Sequence, residues 1–129
     1  MDKVVALIRR NILPQLNTGS VAWAMHRITG VALAVYLVPH IMTINSSRGG
    51  REAFDEALGW YAGPLIAISE FALVMAVAFH LFNGIRIIVV DFFDLSHTQK
   101  LLFWLVMAAC AVVLLGATFI FLPRILAPV

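Results

Sequence analysis

The chain has 129 residues, of which 62% are hydrophobic and 12% charged, with a formal net charge of +2 and a mean hydropathy of +0.96. A soluble domain is roughly half apolar and a quarter charged, so the composition excludes a soluble enzyme domain and predicts an all-α integral membrane protein. So small a net charge also excludes a nucleic-acid binder of the basic-patch kind.

Residues 1–19 form a modest amphipathic segment, with Lys3, Arg9 and Arg10 among Val4, Val5, Leu7, Ile8, Ile12 and Leu13. It lacks the long apolar core of a cleaved signal, and a short helix lying on the membrane surface is expected. The rest of the chain, residues 20–129, reads as one membrane anchor domain of three spans. The first covers about residues 21–44, with His26 and Arg27 in its first two turns. Pro39 removes one backbone donor just before His40 and predicts a kink there. A polar connection of mixed charge follows, from Asn45 to Gly63. The second span covers about residues 64–90. Pro64 suits its first turn, and it carries Glu70, His80, Asn83 and Arg86. A tight polar turn runs from Asp91 to Lys100. The third span covers about residues 101–122, carries no charge, and is expected to stop at Pro123-Arg124. Each is near or above the ~20 residues that cross a bilayer, and only helices satisfy their backbone in lipid without closing a barrel. The single cysteine, Cys110, lies in an apolar run and reads as a lipid- or helix-packed side chain.

Lysine and arginine are most frequent near the N-terminus, so the positive-inside rule places that end in the cytoplasm. The Asn45–Gly63 connection and the C-terminus are then outside and the Asp91–Lys100 turn inside. At ~1.5 Å per residue, His80 lies about 16 Å from Asp91, Arg86 about 8 Å, and His40 roughly 30 Å from the inner side. The two histidines therefore sit at different depths and do not share one metal.

Ionisable groups at membrane depth are costly and mark functional sites. A neutral imidazole has a lone pair for iron. His26 and His40, fourteen residues apart, share one face of the first helix. His80 and Gly84 are i and i+4 neighbours. Gly84 either admits a flat macrocycle beside His80 or, like Gly30, is a small-residue packing position. Arg86 either serves a cofactor's acidic edge, snorkels to headgroups or pairs with Asp91.

Two stretches carry a specific resemblance. Trp23-Ala24-Met25-His26-Arg27-Ile28-Thr29-Gly30 resembles the His-Arg-x-[Ser/Thr]-Gly signature of the cytochrome b membrane-anchor subunit of succinate dehydrogenase. His80-Leu81-Phe82-Asn83-Gly84-Ile85-Arg86, with Asp91-Phe92 beyond it, resembles the same family's second-helix motif. The motifs fall in the right order on consecutive spans.

The resemblance implies half of a haem-binding helical bundle, completed by a second membrane-anchor subunit. Together the two anchors would seat an iron–sulfur subunit and a flavoprotein subunit. FAD and the iron–sulfur clusters of those partners would pass electrons from succinate to a quinone. It implies haem b with His80 as axial iron ligand, and His26 and Arg27 near the propionates and the quinone. Arg27 and Arg86 offer guanidinium forks suited to carboxylates. Well-known members carry a quinone-contacting serine four residues before the motif arginine. Here that position is Trp23, and the nearest hydroxyl is Ser20, one turn earlier. Trp23 then either walls the quinone or anchors the helix at the interface. Where some members have a histidine after the motif arginine, this chain has Ile87. Members with two haems carry a histidine ten residues after the first motif's glycine, which is His40 here. Glu70 reads as a solvated acid near a helix start or as a proton-uptake group, and His97 as an exposed residue of the inner turn. A bacterial inner membrane is the expected location. Alternatives are a fumarate reductase anchor and a non-haem membrane subunit in which His80 and Glu70 serve a proton path.

Overall fold

The computed structural model describes residues 17–126; the amphipathic segment expected over residues 1–19 lies almost wholly outside them. The described residues form three long helices and one short one: α1 (Thr18–Ser46), α2 (Arg51–Gly59), α3 (Pro64–Phe92) and α4 (Gln99–Leu126). At ~1.5 Å per residue, each long helix reaches about 42–44 Å, longer than the hydrocarbon core of a bilayer. This is a multi-pass helical membrane protein.

The helix ends follow local chemistry. Asn17 caps α1 by accepting from the Ser20 amide at 2.8 Å, which satisfies one of the free donors of the first turn. Pro64 opens α3 after Gly63, whose φ of 107° is open to glycine and strained for most other residues. At the other end of α3, Asp94 takes a left-handed φ of 48°. The amide of Leu95 then reaches back to the carbonyl of Val90 at 3.1 Å, the closure that ends many helices.

Two elements differ from expectation. The Asn45–Gly63 connection contains α2, a nine-residue helix with Phe54 and Leu58 turned to one side. Its charged residues hide this amphipathic pattern in any average over the segment. The third span does not stop at Pro123 but continues to Leu126. Proline forbids one backbone donor without forcing termination, and lipid leaves a helix no cheaper alternative. Likewise α1 passes through Pro39, and Thr43 Oγ1 donates to the Pro39 carbonyl at 3.0 Å.

α3 and α4 make the most extensive pairing, α1 and α3 a smaller one. Phe79 of α3 packs on Val106 and Cys110 of α4, with Met25, Met75, Phe82 and Met107 around them. Cys110 is thus packed between helices. Most large apolar side chains point outward, as lipid requires, and Ala22 is the one buried residue of α1. For the site, two ends matter: the turn end, where α3 passes into α4, and the α2 end.

Candidate functional site

At the turn end α1 and α3 run antiparallel, and each presents a histidine followed four residues later by a glycine. His26 of α1 and His80 of α3 stack face to face, with ring centroids 3.9 Å apart and planes 9° from parallel. The glycines make the approach possible. A Cβ at Gly30 would lie 3.0 Å from His80 Cε1, and one at Gly84 would lie 3.5 Å from His26 Cε1. The packing is therefore reciprocal: each helix's glycine opposes the other's histidine. Of the two readings of Gly84, room for a macrocycle or a small-residue packing position, the contact seen here is the second: the space it leaves receives the edge of His26.

The hydrogen bonds of His80 fix its tautomer. Nδ1 lies 3.2 Å from the His26 carbonyl, which can only accept, and 3.1 Å from Thr29 Oγ1. The Thr29 hydroxyl proton is already directed to the carbonyls of Met25 and His26, at 2.9 and 3.0 Å. Nδ1 is then the protonated nitrogen, and Nε2 keeps its lone pair. This is the arrangement in which metal-bound imidazoles are commonly found. His26 Nδ1, by contrast, is buried and has no hydrogen-bond partner. Among the described residues no three His, Cys, Asp or Glu side chains converge on a point. A metal on His80 would therefore bring most of its ligand set with it, as a macrocycle does.

Below the stacked rings lies a second polar layer. Asn83 is fully buried, and its Nδ2 donates to the Ala22 carbonyl of α1 at 3.4 Å. Its Oδ1 accepts from Arg86 Nη1 at 3.4 Å. Arg86 is 8% exposed and turns toward α4, where Nε and Nη2 donate to the Gln99 carbonyl at 3.4 and 3.3 Å. It neither snorkels nor pairs with Asp91. The Asn83 link was not legible from the motif, in which that position reads as a spacer. A polar amide three residues from a membrane histidine was the available signal.

Ser20, Trp23 and Arg27 share an adjacent, exposed face of α1. The Arg27 guanidinium sits 4.6 Å from the centre of the Trp23 ring, within cation–π range. Ser20 Oγ donates to the Asn17 carbonyl at 3.0 Å.

The α2 end is built differently. His40 is exposed, and its Nδ1 lies 3.3 Å from the Tyr36 hydroxyl. It borders a largely apolar groove of about 590 Å³ between α1 and α3, capped by Phe54 and Leu58 of α2. Glu70 lines the same groove and pairs with Arg124 at 2.9 Å. It is ion-paired and still partly exposed, a partner that the sequence reading of a solvated acid or a proton-uptake group did not name. His97 is exposed in the turn, as expected.

Three spans, with two stacked imidazoles and a buried Asn83–Arg86 layer among them, define a helical membrane subunit. The sequence comparisons specify it further. The model of the succinate dehydrogenase/fumarate reductase transmembrane subunit family matches residues 7–116, and the chain belongs to that family. The succinate dehydrogenase 2 membrane subunit SdhC of Mycobacterium tuberculosis is 32% identical over 91 residues, 70% of this chain and 67% of the relative. A succinate dehydrogenase hydrophobic membrane anchor subunit of Halobacterium salinarum is 32% identical over 78 residues, 60% of each chain. One from Archaeoglobus fulgidus is 30% identical over 70 residues, 54% of this chain and 60% of the relative. The chain thus spans about three fifths to two thirds of the lengths of these relatives.

Proposed function

We propose that this chain is the cytochrome b anchor of a succinate:quinone oxidoreductase and that His80 supplies an axial ligand to haem b. The observation that carries the reading is the His80 hydrogen bonding. Nδ1 is committed to the His26 carbonyl and Thr29, so Nε2 is the available donor. The residues fit the group on a second count: the exposed Arg27, next to His26 in the chain, offers a guanidinium fork to a propionate. When bound, the haem would supply one-electron redox chemistry at a potential set by ligation and surroundings. The chain's own task is to hold and orient. Thr29 and the His26 carbonyl fix the plane of the His80 ring, and the α1–α3 contact keeps water from it.

In this reading the exposed face of Ser20, Trp23 and Arg27 meets the quinone, with Arg27 also within reach of an acidic edge. The opposite iron ligand comes from a second membrane-anchor subunit. An iron–sulfur subunit and a flavoprotein subunit carrying FAD dock at the turn end, which faces the cytoplasm with the N-terminus, in a bacterial inner membrane. Arg86, already bound to Gln99 and Asn83, serves the frame of the site. The anchor would serve succinate oxidation; the other subunits and the quinone potential set the direction.

His40 supports a second haem at the α2 end. Its Nδ1 lies 3.3 Å from the Tyr36 hydroxyl, and an apolar groove of about 590 Å³ lies beside it. Purification of the whole complex and a reduced-minus-oxidised spectrum test both readings. A b-type spectrum lost in His80→Ala supports the first, and two haems per complex falling to one in His40→Ala supports the second. An unchanged spectrum in His80→Ala rejects the ligand assignment.

A further inference from the structure

The layer beneath the stacked histidines is costly, and the reading so far gives it no task. Asn83 is 0% exposed and Arg86 8% exposed in a membrane helix, where apolar residues would pack at less expense. Their bonds join all three spans. Asn83 reaches the Ala22 carbonyl of α1, Arg86 bridges Asn83 to the Gln99 carbonyl at the start of α4, and α3 carries both side chains. Ala22 is also 0% exposed, so α1 is fully covered at this point. One turn further along α1 comes His26, whose carbonyl accepts from His80 Nδ1.

The geometry has a definite consequence. The orientation of His80 depends on where the His26 carbonyl lies along α3, and that offset is set by how α1 is seated. Apolar contacts allow antiparallel helices to slide, because side-chain packing is satisfied at several nearby offsets. A buried amide is less tolerant: its Nδ2 finds the Ala22 carbonyl at one offset and is left unpaired at others, at a cost of the order of 1–3 kcal/mol. Arg86 orients the amide by occupying Oδ1, which leaves Nδ2 to face α1.

We propose that Asn83 is a positioning residue for the haem ligand: with Arg86 behind it, it fixes the register of α1 against α3 and so sets the direction of the His80 Nδ1–H bond that tunes the iron. The proposal rests on the reading of His80 as a haem ligand. Imidazole basicity follows the strength of that bond, so a change in register alters the potential of the haem while leaving the ligand itself in place.

The test uses the assembled complex with Asn83→Leu and Asn83→Asp. Leucine keeps roughly the volume and removes both bonds. Aspartate keeps an acceptor for Arg86 and removes the donor to Ala22. Both variants are expected to retain the His80-bound haem and to shift its midpoint potential, changing the oxidised-to-reduced ratio at the wild-type midpoint by about threefold or more. Its low-spin electron paramagnetic resonance signal should move as well. A purely structural role predicts a lower yield of complex in which the surviving haem keeps the wild-type potential and signal, and that result overturns the proposal. So does a shift in Asn83→Leu with none in Asn83→Asp, since the link to α1 would then be immaterial. If neither variant yields complex, Ala22→Val decides. It leaves Asn83 and Arg86 intact and adds bulk at a position that is 0% exposed, which moves α1 away from the amide, and a wild-type potential there overturns the proposal. The underlying reading fails separately: wild-type complex without a b-type spectrum, or His80→Ala with an intact one, removes the ligand and not merely its positioning.

Discussion

The two ends of the bundle each hold a membrane histidine, yet they treat it in opposite ways. At the turn end His80 is clasped: a second imidazole covers its face, a glycine opposes its edge, and a backbone carbonyl holds its Nδ1. At the α2 end His40 is exposed and leans on the tyrosine one turn before it in the same helix, beside an open groove. The contrast shows that a costly polar group can be made rigid by neighbours on another helix or left adjustable by neighbours on its own. In the proposed reading, a ligand held across helices would be oriented before its cofactor arrives, and one held within a single helix would take its final orientation from whatever fills the groove.

Five substitutions test this contrast. The largest effect is expected for His80→Ala, which should abolish one b-type haem signal completely; partial retention would mean that the turn end does not supply the ligand. His40→Ala should remove a second haem, seen as a fall from two to one per complex by pyridine haemochrome assay, while the spectrum of the first is kept. Loss of both would show the ends to be coupled. The glycines come next. Gly30→Ala places a methyl 3.0 Å from His80 Cε1 and should cost about 1–3 kcal/mol through overpacking, read as a lower midpoint of thermal inactivation and an altered haem signal. Gly84→Ala meets His26 at an ordinary 3.5 Å and should be tolerated. Equal effects would break the reciprocal picture. The smallest change is expected for Glu70→Gln. Its ion pair with Arg124 is partly exposed, with side chains 36% and 53% accessible, and such pairs contribute less than about 1 kcal/mol. Thermal stability should scarcely move, and a clear loss of haem would give Glu70 a part in the groove that its pairing does not explain.

Much of this architecture was legible in the residues. Three apolar runs dictated three helices, and His80 stood out because lipid penalises it. The spacing of His26 to Gly30 and of His80 to Gly84 is compatible with the reciprocal contact, since two antiparallel helices with the same four-residue step set each glycine against the other's histidine at one axial offset. What a single chain could not give is the axial offset between helices. Periodicity reports which face is apolar and says nothing of how far one helix slides along another. The destination of Arg86 was hidden for that reason: its acceptor is a main-chain carbonyl at Gln99, which no side-chain motif encodes. The partner of Glu70 was hidden too, because Arg124 lies beyond a proline that reads as a stop. The helix α2 was masked by charges that pair among themselves, as Arg51 and Asp55 do at 3.5 Å.

The path of the polar layer through all three spans also bears on the order of synthesis. Asn83 and its acceptor on α1 are both present once the second span has been made, but Arg86 finds Gln99 only when the start of α4 has emerged. Until then the guanidinium has no main-chain acceptor on α4, while α1 is already tied to α3 through Asn83, His80 and the stacked imidazoles. Insertion of the third span thus completes a polar layer that the first two spans have begun.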